Sequence, residues 1–500
     1  MDPILLQKLV RDMARVVQDS DIEIARLRQI IRAFQRHRFG RRSERLSPQQ
    51  CELGLEDLEA DLARIETRQA SILASTKTEP QKPSQRGALP GHLPREQVVM
   101  TPGVTACPTC GGVLHDAGTT VSEMLDWTPA SLRVRQIVRP KCACRACGTL
   151  QQASAPERLA KGCLATPDLI AHVLISRYGD HLPLYRQSKI FARHGLDIPR
   201  STLAGWVGAA CWWLEPLRER LMDHIVQSAR IFADDTPLPV LDPGRGTTKT
   251  GRFWAYTRDD RPFGGTAPPA VVFRYEADRT GARPALHLKG YSGIVQVDGY
   301  AGFETLRDSE EPTIRLAACW SHMRRKFYDL HKTGSPLATE VLTRVAHLYA
   351  IEAEIRGQPP DLRKTIRQER ARPLVEVLYV WLQHHERLLP PRSKLAEAMR
   401  YALNRWNDLV CFLEDGHIDL DTNPVERAIR PIALGRKNSL FAGSEGGADR
   451  WAIVASLIET AKLNGIEPFA WLRDTLVRMV EGHPAHEIND LLPWSPYLNR

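Results

Sequence analysis

"SGIVQVDGYAGF", residues 292–303, governs how the rest of the chain is read. Its apolar run from Ile294 to Val297 is broken only by Gln296 and stops at Asp298, followed by Gly299 and Tyr300. Short apolar runs bounded by glycine predict buried strands. A carboxylate at the tip of such a strand must be hydrogen-bonded, charge-paired or cation-bound, because burying it bare is costly. Its partners have to come from elsewhere in the chain.

Upstream, "ARIFADDTPLPVL" (229–241) reads as a strand carrying Asp234 and Asp235. A glycine-rich turn leads to "RFWAYTR" (252–258), and "AVVFRYEA" (270–277) makes a third strand. A helical segment, "TGARPALHL", precedes the opening stretch, and "IRLAACWSHMRRKF" (314–327) follows it as a further α/β unit. Three hairpin-linked strands, a helix and a fourth strand are the order of a ribonuclease H-like α/β core, in which the first and fourth strands are neighbours. Asp234 and Asp298, 64 positions apart, would then share one sheet edge. Strand alternation sends Asp235 to the opposite face, so only one of the pair joins Asp298. Adjacent carboxylates repel unless a cation lies between them, and hard oxygen ligands suit magnesium or manganese. Such sites serve phosphodiester chemistry.

A third acid is offered by Glu426 in "LDTNPVERAIRPIALGRKNSLFAGSEGG" (420–447). Asn423 is a good N-cap and Pro424 suits the first turn, so Glu426 either closes a capping box or completes the acidic cluster. Arg427, Arg430, Arg436 and Lys437 follow closely, as a grip on a DNA backbone requires. In "CWSHMRRKF", Arg324 and Arg325 are further candidate phosphate contacts. His322 is read as a DNA contact or a packing residue, and Trp320 as core.

At 500 residues, 43% hydrophobic and 25% charged, the composition is ordinary for a soluble globular protein of several domains, and the elements read above make the expected fold class multidomain α+β. The net charge of +9 favours acidic partners. No apolar run approaches the ~20 residues that span a bilayer, and no signal peptide is evident. The expected setting is the cytoplasm, with reduced thiols that serve as metal ligands. Apolar residues at Leu6, Val10, Met13, Val17, Ile24, Leu27, Ile31 and Phe34 form an a/d seam, with a shorter one through Leu55, Leu58, Leu62 and Ile65. The seam predicts a coiled coil that pairs copies of the chain, or else an amphipathic hairpin on its own domain. Its basic flank, eight arginines between residues 26 and 45, is solvated or lies on phosphates. Residues 74–98 read as a linker.

"ACPTCGG" and "KCACRACG" set Cys107, Cys110, Cys144 and Cys147 as two knuckles of a structural zinc ribbon, with Cys142 either a spare thiol or a substitute for Cys144. "LPLYRQSKIFARHGLDIPRSTLAGWV" has helix-turn-helix punctuation, with Arg200, Ser201 and Thr202 opening the would-be recognition helix; an ordinary helical pair is the alternative. The expected boundaries are 1–73 coiled coil, 74–98 linker, 99–158 zinc ribbon and 159–227 helical DNA-binding domain. They continue as 228–330 core, 331–418 helical insertion, 419–456 second core part and 457–500 terminal helical element.

These segments resemble transposases of the insertion-sequence-66 type, a branch of the aspartate-aspartate-glutamate enzymes. The resemblance spans nearly the whole chain, through "FGRRSERL", "LPGHLPRE", "DHLPLYRQ", "RSTLAGWV", "ADDTP", "VDGYAGF", "ACWSHMRRKF", "NPVERAIRPIALGRKNSLFAGSEGG" and "SLIETAKLNGIEPFAWL". It implies Asp234, Asp298 and Glu426 as catalytic triad and magnesium ligands, with an insertion domain before the glutamate. Where the family commonly reads Ala-Asp-Glu-Thr-Pro, residues 233–237 read Ala-Asp-Asp-Thr-Pro, so Asp235 replaces the glutamate. It also implies cleavage of 3′ ends and strand transfer on terminal inverted repeats and target DNA, in the bacterial nucleoid. Accessory proteins of the same mobile element are further expected partners. Two rivals remain: a ribonuclease H-like nuclease or resolvase that cuts without joining, and a non-catalytic zinc-ribbon DNA-binding regulator.

Overall fold

The computed structural model describes residues 16–21, 23–28, 64–65, 89, 91, 93–101, 106–107, 109–128, 131–242, 247–307 and 314–495. Most of the expected a/d seam lies outside these residues. Within them, 16–21 and 23–28 are helical, with Ile24 and Leu27 buried.

The first sheet holds β1 (Arg95–Val99), β2 (Leu114–Thr128), β3 (Ser131–Cys144) and β4 (Leu150–Gln152). β2 and β3 pair antiparallel along their full lengths, β1 adds parallel to β3, and β4 pairs with its end. Asp126, fully buried, fixes this sheet to the helices behind it: it accepts from Arg133, Arg135 and the Thr166 hydroxyl that caps the next helix. Buried charge is tolerable only with such partners.

Then come α1 (Pro167–Leu174), α2 (Leu184–Arg193) and α3 (Arg200–Val226). α2 and α3 flank the break at Gly195, whose φ of +75° is one that glycine adopts without strain. Ser201 and Thr202 are exposed on the first turn of α3, whereas Leu203, Trp206, Val207, Ala210 and Leu214 are buried.

The second sheet is built from β5 (Arg230–Asp242), β6 (Thr247–Arg258), β7 (Ala270–Glu276), β8 (Gly293–Val297) and β9 (Ile314–Ala318), in the order β7-β6-β5-β8-β9. β5, β6 and β7 are antiparallel, while β8 and β9 run parallel to β5. α4 (Ala282–His287) crosses from β7 to β8. β8 pairs only with the start of β5, so Pro237 and Pro239 fall where their missing N–H groups leave no ladder bond unmade. Beyond that point, Pro239 O and Leu241 N–H engage Ala442 instead.

After α5 (Trp320–His331), the chain forms α6 (Pro336–Glu354), α7 (Pro360–Ile366), α8 (Arg372–Leu388) and α9 (Lys394–Asn404), a helical unit with its own apolar cluster around Val345, Leu378 and Met399. It returns as α10 (Asn423–Ser439), α11 (Glu445–Leu463) and α12 (Pro468–Val480). α11 covers the exposed edge of β7. Its Ser456 and Thr460 hydroxyls, one turn apart, accept from the N–H groups of Phe273 and Val271. An open strand edge is a site for unwanted pairing, and this one is closed. Among the described residues, no helix is long and apolar enough to cross a membrane.

Candidate active site and zinc centre

β5 and β8 pair in parallel with Arg230 opposite Ile294, Ile231 opposite Val295 and Phe232 opposite Gln296. The same offset of 64, carried two residues past the last pair, sets Asp234 level with Asp298 and on the same face. This is the carboxyl end of parallel strands, where open α/β sheets place their ligands. Asp298 Oδ1 accepts the Tyr300 N–H at 2.8 Å, and Asp234 Oδ1 accepts the Asp235 N–H at 2.7 Å. Neither carboxylate has an ion-pair partner among the described residues.

Asp235 faces the other way, as alternation requires. Its fully buried carboxylate is held by Arg252 at 2.9 Å and Arg279 at 2.8 Å, and Arg279 stacks on Tyr300 with its carbon 3.7 Å from the ring centre. The second acid of "ADDTP" is therefore a structural anchor with its charge neutralised.

Glu426 is delivered by three stitches. The Gln296 side chain, buried in β8, gives and takes hydrogen bonds with Asp419 O and N–H at 2.8 and 2.9 Å. Trp320 N–H donates to Leu420 O, and Thr422 N–H donates to Cys319 Sγ at 3.3 Å. α10 then begins, and the cap is Thr422 rather than Asn423, which is its first residue. The expected capping box is absent: Glu426 Oε1 accepts the Thr422 hydroxyl at 3.2 Å, and the Thr422 N–H goes to sulfur. Asn423 bonds to Asp421 instead.

Burial pushes the Asp234 carboxyl up to about 8, and the negative charges of Asp298 and Glu426 push the same way. Burial is the larger cause and the neighbouring carboxylates add to it, a combination common at functional sites. Asp234, Asp298 and Glu426 offer only oxygen donors, the kind that suit magnesium or manganese, although their ligand atoms do not all come within 4.8 Å of one another.

Of the candidate DNA contacts, Arg427, Arg430, Lys437, Arg324 and Arg325 are exposed, while Arg436 is half-buried and bonds to Thr236 Oγ1 and Pro237 O in β5. Arg200 is half-buried at the start of α3. Trp320 is core: its Nε1 donates to Leu409 O, and it packs edge-on against Trp406 and Phe412. His322 turns towards Glu426, with Nδ1 3.7 Å from Oε1. Cys319 went unread in the sequence, although its C-x-x-H spacing to His322 across a strand-to-helix junction was visible.

In the first sheet, the thiols of Cys107, Cys110, Cys144 and Cys147 converge. Cys107–Cys147, Cys110–Cys144 and Cys110–Cys147 sulfurs lie 3.4, 3.5 and 3.3 Å apart. A zinc–sulfur bond of about 2.3 Å gives tetrahedral edges of about 3.8 Å, so the four fit one zinc ion closely. The two knuckles repeat one geometry: Gly111 N–H bonds to Cys107 O and Gly148 N–H to Cys144 O, both at 2.8 Å, with φ of +71° and +72°. Cys142 stands apart on β3, so Cys144 is the fourth ligand.

Family models match four parts of the chain. Residues 162–450 match the Transposase IS66 family, 456–494 the IS66 C-terminal element, 26–98 Transposase C of IS166 homeodomain, and 105–148 the zinc-finger binding domain of transposase IS66. Two uncharacterised proteins of Sinorhizobium fredii are similar along almost their whole length. One, y4jD, is 42% identical over 497 residues, covering 97% of this chain and 96% of its own; the other, y4qI, is 41% identical, covering 97% and 92%.

Proposed function

Because the chain belongs to the IS66 transposase family, whose domains bind DNA and act in transposition, we propose that it cleaves 3′ ends and transfers strands with Asp234, Asp298 and Glu426 as its reacting site. We read the second sheet with α10 as a ribonuclease H-like core, and the seam before residue 35 as a coiled coil that pairs copies of the chain. The zinc ribbon and the α2–α3 pair are the proposed readers of the terminal inverted repeats. Small proteins of the same element and target DNA complete the proposed partners, on the bacterial nucleoid.

The observation that carries this reading is the parallel pairing of β5, which holds Asp234, with β8, which leads into Asp298, together with the charges of Asp298 and Glu426 felt at Asp234. The three carboxylates would hold magnesium or manganese, which when bound supplies Lewis acidity to a water or 3′-hydroxyl and to the departing oxygen. The chain's own contribution is placement. Asp234 is half-buried, and the Tyr300 and Asp235 N–H groups fix one oxygen on each aspartate. Arg427, Arg430 and Lys437 line the exposed side of α10 with positive charge for the phosphates beside the cut.

Asp298→Asn tests the proposal. With pre-cut 3′-hydroxyl ends and a target duplex, joined product is expected from the parent chain and none from the variant, while binding to the ends persists. Loss of end binding as well would make Asp298 a structural residue. Cleavage without any joined product from the parent would make the protein a nuclease or resolvase.

A further inference from the structure

Beside the oxygen cluster lies a second, chemically different donor set. Cys319 follows β9 and caps α5, and His322 sits on the first turn of α5. One ligand atom from each of Cys319, His322 and Glu426 falls within 4.8 Å of the other two. The segments are fixed from both sides. Cys319 N–H bonds to Val297 O on β8, Trp320 N–H bonds to Leu420 O, and Cys319 Sγ already accepts the Thr422 N–H. Such an N–H···S bond is what supports a thiolate ligand from its outer shell. His322 Nδ1 is closed off from solvent and makes no hydrogen bond, and Glu426 Oε1, at 3.7 Å, is too far to satisfy it. A buried ring nitrogen without a partner, facing a thiol and a carboxylate, marks a gap of the kind an ion fills.

We propose that Cys319, His322 and Glu426 form a binding site for a borderline divalent transition-metal cation, of the zinc or cobalt class, separate from the oxygen site of Asp234 and Asp298. Thiolate and imidazole donors favour such ions over magnesium, which takes oxygen ligands. Three protein ligands leave a position open, as at metal sites that carry out chemistry rather than brace a fold. Binding releases the Cys319 proton to solvent. Glu426 then belongs to both donor sets, so the two ends of the cluster differ in the metal they prefer. This inference rests on the proposed active site for its purpose, but not for its test.

The test is cobalt absorption of the full-length chain carrying one equivalent of zinc in the four-cysteine ribbon. The parent is expected to take up a further equivalent of cobalt, with a near-ultraviolet thiolate-to-cobalt band. Cys319→Ser is expected to abolish that band, and His322→Asn to abolish the uptake while leaving the ribbon's zinc in place. Asp298→Asn is expected to keep the band even though it loses strand transfer. A parent chain with no thiolate band from the added cobalt overturns the inference. So does a Cys319→Ser or His322→Asn chain whose cobalt spectrum matches the parent's. Because half-buried His322 tolerates an asparagine better than core Cys319 tolerates serine, the second variant decides the matter if the first does not fold. Strand transfer lost in Asp298→Asn with no cobalt band anywhere would leave the active-site reading standing and this inference refuted.

Discussion

Replacing Asp234 by asparagine should stabilise the chain in magnesium-free, zinc-replete buffer while abolishing its chemistry. In the folded chain the Asp234 carboxyl keeps its proton up to about pH 8, first through burial and then through the charges of Asp298 and Glu426; unfolded, it releases it near 3.8. The folded state therefore binds more protons across that window. Asp234's contribution is complete below about pH 4 and is lost as the pH rises to 8. The gap is about four pH units; at about 1.4 kcal/mol each it caps the penalty at ~6 kcal/mol. Asparagine keeps an oxygen for the Asp235 N–H but must bury its own amide, so a net gain of about 2–3 kcal/mol at pH 8 is expected. Over a cooperative unit of several hundred residues that corresponds to a rise in Tm of about 2–5 °C. Thermal melts followed by tryptophan fluorescence from pH 5 to 8 give the comparison. The parent should lose stability along that range and the variant much less, and magnesium should raise the parent's Tm but not the variant's. A parent Tm flat from pH 5 to 8, or a variant less stable than the parent at pH 8, would refute the claim that these acids lack a counter-charge.

Asp235→Ala should behave oppositely. It strands Arg252 and Arg279, which solvent can partly reach, costs about 1–3 kcal/mol in a urea titration, and leaves the magnesium affinity of the folded chain unchanged. Stripping zinc with a chelator should raise amide exchange across residues 106–150 while β5–β8 stay protected, because the four thiols are what hold the knuckles together. Arg430→Ala should weaken DNA binding without changing Tm and make the dependence on log salt shallower by about one. Arg436→Ala should instead lower Tm, since its guanidinium ties α10 to Thr236 and Pro237.

What could be read from the residues alone follows a physical division. The knuckles at Cys107–Cys110 and Cys144–Cys147 were legible because a metal tetrahedron fixes both ligand type and local spacing. That β5 and β8 are neighbours was legible because strand order alone sets them side by side. The cap of α10 was misplaced by one residue: Asn423 looked like the stronger cap, but Thr422 N–H is drawn to Cys319 Sγ, a contact between residues 103 positions apart. His322 was read as a DNA contact or a packing residue for the same reason. Its neighbour Glu426 comes from a distant helix, and no periodicity records that. Gln296 was the missed signal. A polar side chain inside a strand otherwise apolar needs a partner, and its partner is the backbone at Asp419, seven residues before the glutamate.

That stitch changes how the helical insertion is understood. Tyr401 donates to Asp298 O at 2.9 Å and Arg405 to Gly299 O at 2.7 Å, so the end of α9 grips the peptide that carries the second aspartate. Gly299 has φ of +100°, and a Cβ there would lie 2.6 Å from the Tyr401 hydroxyl, so only glycine admits the grip. At the insertion's other end, buried Arg363 and Arg367 share Glu352, and they hold Ile418 O and the Asp419 carboxylate just where the chain turns back towards the sheet. The insertion therefore has its hands on both Asp298 and the segment that delivers Glu426. Residues 331–418 separate the two acids in sequence, yet in space they form the brace that sets the distance between them.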